Sequence, residues 1–161
     1  MRLALVLIVG VGVAIGASMP APTAPASSAA AVVSEGEAAE DEPRDTVLER
    51  SPRGHFYTVA EVNGEPIRFM VDTGASVVAF SEEDARRAGL RFDPDDHRPV
   101  ARGASGLVHG QEVVVDRIVL DGKKAERLDA IVMQGAEVSL LGQNYLRDLE
   151  VRISGDRMTL R

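Results

Sequence analysis

The sequence predicts a mainly β domain: a closed or orthogonally packed barrel with one or two short helices. At least six short apolar or alternating segments are separated by turn residues, which is typical of such sheets. Two pairs, Asn63-Gly64 and Asp121-Gly122, have the chemistry of type I′ hairpin turns, in which both central residues need a positive φ. A third hairpin signal, Ser154-Gly155-Asp156, lies near the end of the chain.

The first predicted hairpin joins a strand over residues 56–62 to a strand on which Ile67, Phe69 and Val71 occupy alternate positions. A short apolar strand over residues 77–80 follows. Period-two alternation places one face of a strand on the core.

A short helix is predicted after that strand, in the segment SEEDARRAGL. Ser81 and Asp84 resemble a capping box, acidic residues fill the first turn, and Gly89 suits the position after the helix end. The remaining predicted elements are a glycine-rich hairpin over residues 101–110, strands over residues 111–120, 127–133 and 138–142, one or two helical turns over residues 143–149, and a closing hairpin over residues 150–160.

Composition limits the possible functions. The chain has 161 residues, no cysteine and a formal net charge of −7, so a thiol nucleophile, a disulfide framework and thiolate zinc sites are excluded. The acidic balance, the absence of Trp and an aromatic content of only 4% argue against nucleic-acid binding. His55, His97 and His109 lack metal-ligand spacing, and no complete G-x-S-x-G occurs, so we expect no metal, no cofactor and no serine-hydrolase site.

The N-terminal part differs in composition from the rest. In residues 1–19, Arg2 precedes an apolar run over residues 3–17, which predicts a secretory signal peptide or an uncleaved signal-anchor. Residues 20–50 are rich in Ala, Pro and acids without apolar periodicity, so we expect a disordered tether. The folded domain is therefore predicted over residues 51–161, exported to the periplasmic or extracellular side and either free or anchored in the inner membrane by residues 3–19.

One segment carries the chemistry, and it directly follows the second predicted strand. By itself D-T-G is good turn chemistry, because Asp caps its own backbone and Gly accepts a positive φ. Here it is followed by an apolar strand, then by the glycine-rich hairpin, and later by two leucines and a glycine before a short helix. The segments are Asp72-Thr73-Gly74-Ala75-Ser76 and Leu140-Leu141-Gly142.

These three elements, in this order, resemble the retropepsin-like (single-domain, retroviral-type) aspartic proteases, in particular the bacterial exported group of clan AA. The resemblance covers roughly residues 54–161 and implies the retropepsin type of barrel. It implies that Asp72 is the catalytic acid–base and that the two segments above support its loop. It also implies a flap that closes over an extended peptide, formed by Gly103, Ala104, Ser105, Gly106 and Leu107. This flap has no aromatic residue, which departs from the family pattern.

The resemblance also implies a mechanism and a partner. Peptide hydrolysis by this route needs two carboxylates that share one proton and activate a water between them. Since D-T-G occurs once in the chain, we expect a homodimer in which two copies of Asp72 meet, with the terminal strands over residues 151–160 in the interface. The expected function is an aspartic endopeptidase acting on peptide or protein substrates. The alternative that stays open is a non-catalytic retropepsin-like module for dimerisation or peptide binding, tethered at the membrane.

Overall fold

The computed structural model describes residues 42–103 and 106–161, and this part of the chain forms ten strands and two short helices. The elements in chain order are β1 (Thr46–Glu49), β2 (Tyr57–Val62), β3 (Glu65–Val71), β4 (Val78–Ser81), α1 (Glu82–Arg87), β5 (Arg98–Gly103), β6 (Gly106–Leu120), β7 (Lys123–Met133), β8 (Ser139–Leu141), α2 (Gln143–Leu146), β9 (Val151–Ser154) and β10 (Arg157–Leu160). The predicted mainly β class is confirmed.

Six strands form a closed barrel in the order β2-β3-β8-β4-β7-β6. The barrel closes because β6 pairs back onto β2, where Glu61 lies opposite Val119 and Val62 opposite Ile118. Two of the pairings, β3 with β8 and β4 with β7, are parallel. β5 continues the sheet beyond β6, so the β5–β6 hairpin extends from the barrel rather than closing it.

The core lies inside this barrel and is built by the predicted alternation. Ile67, Phe69 and Val71 of β3 are all buried. Phe69 packs edge-to-face on Phe80 of β4, with 5.5 Å between the ring centroids, a favourable arrangement for two aromatic rings. β3 and β4 flank the D-T-G segment, so both ends of that segment are anchored in the most buried part of the domain.

Local signals predicted the turns and the helix start. Asn63 and Gly64 have φ values of 53° and 92°, and Asp121 and Gly122 have 48° and 75°, as type I′ turns require. The hydroxyl of Ser81, the N-cap of α1, accepts a hydrogen bond from the Asp84 backbone N–H at 3.2 Å.

The first strand corrects the predicted domain boundary. Residues 46–49 were expected to belong to the disordered tether of residues 20–50, but they form β1, which pairs antiparallel with β10 in a three-stranded sheet ordered β1-β10-β9. The physical reason is a short alternation among acids: Thr46 is buried, Leu48 packs on the core, and Val47 between them is exposed.

The β6–β7 turn also holds the start of the domain. The Thr46 hydroxyl donates to the Asp121 carboxylate at 2.5 Å, and the Arg44 N–H donates to the Asp121 carbonyl at 2.9 Å. The Lys123 ammonium donates to the Arg44 carbonyl, and burial lowers the pKa of Lys123 while Asp121 and Asp45 act in the opposite direction. The folded domain therefore begins ahead of the predicted residue 51.

The predicted signal segment and the remainder of the predicted tether lie outside the described residues. Among residues 42–103 and 106–161, no helix is long and apolar enough to cross a bilayer.

The β1 assignment predicts a difference between two neighbouring substitutions. Leu48→Ala removes a side chain packed on the core and should lower the free energy of unfolding by about 1–3 kcal/mol. Val47→Ala removes a side chain that is 55% exposed and should change it by less than about 0.5 kcal/mol. Urea denaturation followed by circular dichroism measures both, and equal effects of the two substitutions would contradict the β1 assignment.

Candidate active site

The loop of residues 72–77, which we call the active-site loop, presents the Asp72 carboxylate at the end of β3. The Asp72 N–H donates to the Leu141 carbonyl of β8 at 3.1 Å, and the Val71 N–H donates to the Phe56 carbonyl at 2.9 Å. The backbone entering the loop is thus fixed from two sides, while the Asp72 residue itself is half-buried. A carboxylate held this way is accessible to water and to a ligand.

Gly74 directly contacts the carboxylate. Its N–H donates to Asp72 Oδ1 at 2.9 Å, and the Ala75 N–H donates to the Asp72 carbonyl at 3.2 Å, which closes the turn. A Cβ at position 74 would lie 3.2 Å from the same Oδ1. Glycine therefore lets the backbone donor approach the carboxylate without crowding it.

Gly142 sits against the other side of the loop. Its φ of −92° is open to any residue, so backbone conformation does not explain the glycine. A Cβ there would lie 2.2 Å from the Val77 carbonyl oxygen and 3.0 Å from the Ala75 carbonyl oxygen. The predicted pair of segments, residues 72–76 and 140–142, is therefore brought into direct contact, and the contact requires the absence of a side chain.

The first residues of α2 complete the bracing of the loop. The backbone N–H groups of Gln143 and Asn144 donate to the carbonyls of Ala75 and Ser76 at 2.8 and 3.1 Å. The Gln143 side-chain amide also donates to the Thr73 carbonyl at 2.9 Å. Three of the loop's carbonyl groups are therefore bonded to two adjacent residues of one helix.

Asn144 links three elements, and no sequence motif marked it as a site residue. Its side-chain Oδ1 accepts from the Val78 N–H at 2.9 Å, and its Nδ2 donates to the Asp129 carbonyl at 2.7 Å. The side chain thus ties the loop's exit strand to β7. The signal in the sequence was a pair of amides directly after Leu-Leu-Gly, but only the fold shows what they bond to.

Tyr145 fixes helix α2 to the start of β7. It is buried, and its hydroxyl donates to the Lys123 carbonyl at 2.7 Å. Burial raises the pKa of the Tyr145 hydroxyl above its ordinary value, so the group stays a protonated donor at neutral pH. Helix α2, which bonds the active-site loop, is therefore itself fixed next to the β6–β7 turn.

The predicted flap lies at the end of the β5–β6 hairpin. Gly103 and Gly106 lie opposite each other there, and the Leu107 side chain is 56% exposed. Ala104 and Ser105 lie outside the described residues. Where the hairpin leaves the barrel, a Cβ on Gly110 would lie 2.3 Å from the Val132 carbonyl oxygen, so the hairpin's base is packed tightly on β7.

A cleft of about 810 Å³ lies between the active-site loop, strand β5 and strands β6 and β7. The loop contributes Ser76 and Val77, while β5 contributes residues 100–102. The β6–β7 part of the lining consists of Glu112, Val113, Val114, Asp129, Ala130 and Ile131. No sequence motif marked these residues, because the placement of β5 and the active-site loop against β6 and β7 decides which of them line the cleft.

The reactive group that the active-site loop presents is the Asp72 carboxylate. Asp72 supplies an oxygen base with one backbone donor on its carboxylate, beside a cleft with an open side. In the described part of the chain, no group of three or more His, Cys, Asp or Glu side chains is placed to hold a metal ion. D-T-G occurs once in the 161 residues, so one chain supplies one such loop.

The model of a family described as "gag-polyprotein putative aspartyl protease" matches residues 58–148. A solved retropepsin-like aspartic protease from Rickettsia conorii is 32% identical with a TM-score of 0.62, and the match covers 74% of this chain and 90% of that chain.

Two curated relatives are also similar. An uncharacterized protein of Rickettsia prowazekii (strain Madrid E) is 30% identical over 72% of this chain, and an uncharacterized protein in the cobV 5′ region of Sinorhizobium sp is 31% identical over 82% of it. The chain spans only 51% and 56% of the lengths of these two relatives.

The contact at Gly142 predicts a steric effect. Gly142→Ala places a methyl group against the Val77 carbonyl and should destabilise the fold by about 2–4 kcal/mol, because backbone must move. Gly155→Ala is the control: φ there is 58° with open space around the new Cβ, so only a left-handed backbone cost of about 1 kcal/mol is expected. Thermal or urea denaturation compares them, and an equal or smaller loss for Gly142→Ala would contradict the contact.

Proposed function

Because the chain belongs to the retropepsin-like aspartic protease family, we propose that it is an aspartic endopeptidase whose active site forms between two copies of the chain. The observation that carries the proposal is the Asp72 carboxylate, held half-buried at the end of β3 with the Gly74 N–H on Oδ1 at 2.9 Å. A rigid loop, an accessible carboxylate and an adjacent cleft together support hydrolysis of a bound peptide.

In the proposed mechanism two carboxylates act as a pair. Like charges about 3 Å apart do not both ionise, so one Asp72 is protonated and the other is not. The ionised carboxylate takes a proton from a water held between the two, and that water attacks the peptide carbonyl carbon. The protonated carboxylate donates a hydrogen bond to the carbonyl oxygen of the tetrahedral intermediate. The C–N bond then breaks while the leaving nitrogen takes up the proton that the first carboxylate accepted from water. The titration belongs to the pair rather than to either residue.

The second carboxylate comes from a second chain in this proposal. One D-T-G in 161 residues supplies one half of the pair, and a two-fold axis brings the same residue of both subunits to one point. The exposed Thr73 and Gly74 lie at the outer turn of the loop, which is the part that meets its symmetry mate in such an arrangement. The strands β9 and β10 are the proposed remainder of the interface.

The β5–β6 hairpin is the proposed cover of the site. It extends beyond the barrel and faces the active-site loop across the cleft. A hairpin in this place can exclude water and offer backbone hydrogen bonds to an extended peptide. We further propose that the enzyme acts outside the cytoplasm, supported by Arg2 and the apolar run of residues 3–17 that follows it.

The proposed mechanism predicts that replacing the Asp72 carboxylate with an amide lowers peptide cleavage. Asp72→Asn should lower kcat/KM on a peptide library by at least about 1000-fold, because the acid–base group is lost. The fold should persist, since the Asn carbonyl oxygen can still accept from the Gly74 N–H and the side chain is accessible. Asp148→Asn, an exposed carboxylate outside the cleft, should leave kcat/KM unchanged.

Two results would contradict the proposal. Cleavage that persists in a folded Asp72→Asn variant would show that Asp72 is not the acid–base. A wild-type chain that dimerises and binds peptides without cleaving any of them would instead identify the non-catalytic module that the sequence left open.

A further inference from the structure

We infer that the cleft beside the active-site loop selects substrates carrying a lysine or arginine side chain, and that Glu112 and Asp129 determine this specificity. The inference rests on the proposed function, in which the cleft holds an extended peptide. It concerns the substrate side chain that the cleft accepts, which the position of Asp72 does not determine.

The register of β6 on β7 arranges the floor of the cleft. Val114 lies opposite Asp129, and Glu112 lies opposite Ile131. Opposite residues and residues two apart project from the same face of a sheet, so all four share one face. The two carboxylates occupy one diagonal of this square and the two aliphatic side chains occupy the other. Diagonal neighbours on adjacent strands are about 7–8 Å apart.

The charges of the cleft do not balance. Its charged lining residues in the described part of the chain are Glu112, Asp129 and Arg102, which leaves one carboxylate in excess. Glu112 and Asp129 are both exposed, and within residues 42–103 and 106–161 neither carboxylate has an ion-pair partner. Arg102 stands on β5, on the hairpin side of the cleft rather than on its floor.

The apolar lining decides the shape of the side chain that fits. Val77 and Val100 line the cleft from the loop and from β5, above the floor formed by Val114 and Ile131. Lys and Arg lay their aliphatic stems along such surfaces and place the charged end at a polar rim. A cationic side chain bound here gains a carboxylate partner, whereas an acidic side chain is repelled by the excess negative charge. An aliphatic side chain contacts the apolar walls but forms no ion pair.

The cleft also lies near the reacting bond. It begins at Ser76 and Val77, in the same loop as Asp72. A peptide in extended conformation advances about 3.3 Å per residue and turns alternate side chains to the same side. The selected side chain therefore belongs to a residue close to the cleaved bond, where a charge preference affects kcat/KM.

A matched set of peptides tests the inference on the full-length chain. A peptide that the wild type cleaves is resynthesised with Lys, norleucine or Glu at each position in turn. At one position, kcat/KM should be about three- to fivefold higher for Lys than for norleucine, and lower again for Glu. In the double variant Glu112→Gln, Asp129→Asn the Lys-to-norleucine ratio should fall to about 1, and in Arg102→Gln it should rise.

Glu126→Gln is the control. Glu126 is exposed on β7 and lies outside the cleft lining, so the Lys-to-norleucine ratio should be that of the wild type. A wild type without a Lys preference at any position would overturn the inference. A preference that survives in the double variant would also overturn it, as would an equal loss in Glu126→Gln.

Failure of the proposed function gives a different result. If the wild type cleaves none of the peptides, the endopeptidase proposal fails, and the cleft is tested by binding instead. The dissociation constants of the Lys and norleucine peptides are then measured by calorimetry on the wild type and the double variant. Tighter binding of the Lys peptide only by the wild type supports the inference, and equal affinities overturn it.

Discussion

The geometry of the site depends on a backbone contact that a single methyl group would block. At Gly142 a Cβ would lie 2.2 Å from the Val77 carbonyl oxygen, and this closeness brings α2 within hydrogen-bond distance of the active-site loop. Gln143 and Asn144 then bond the carbonyls of Ala75 and Ser76. The loop is thereby fixed before any ligand arrives. A carboxylate that needs no reorganisation during the reaction is the preorganised kind of group on which catalysis depends.

The same loop explains why the proposed enzyme needs two chains. The barrel braces one carboxylate well but supplies only one D-T-G, and general acid–base chemistry on a peptide by this route needs a protonated and an ionised partner. In the proposed dimer the rigidity of each loop serves both subunits, because the two carboxylates must be held close together despite their repulsion. In the proposed enzyme negative charge has two uses: Glu112 and Asp129 select the substrate by the inference above, and Asp72 acts on it by the proposed mechanism.

Features that depend on neighbouring residues could be predicted from the sequence, whereas features that depend on contacts between distant segments could not. The turns at Asn63-Gly64 and Asp121-Gly122 and the cap at Ser81 were predicted because φ and capping depend on neighbouring residues. The two motif segments were found because their residue types are informative without coordinates. β1 was missed because four residues among acids carry too weak an alternation, and its pairing partner β10 lies at the other end of the chain. The bonds of Asn144 join α2 to β4 and β7, which are far apart in the chain, so no local pattern specifies them. The shared face of Glu112 and Asp129 follows from the turn at Asp121-Gly122, but that this face lines a cleft depends on β5 and on the active-site loop, and the loop is distant from it in the chain.

Mixing wild-type chains with Asp72→Asn chains is the most direct test of the central claim, that one active site is shared by two subunits. Total protein is held constant, subunits are allowed to exchange, and peptide cleavage is measured as the wild-type fraction falls. A shared pair requires both Asp72 residues, so activity should follow the square of the wild-type fraction and reach about one quarter at an equal mixture. A linear decline, with about one half remaining at an equal mixture, would show that each chain carries a complete site and would contradict the account.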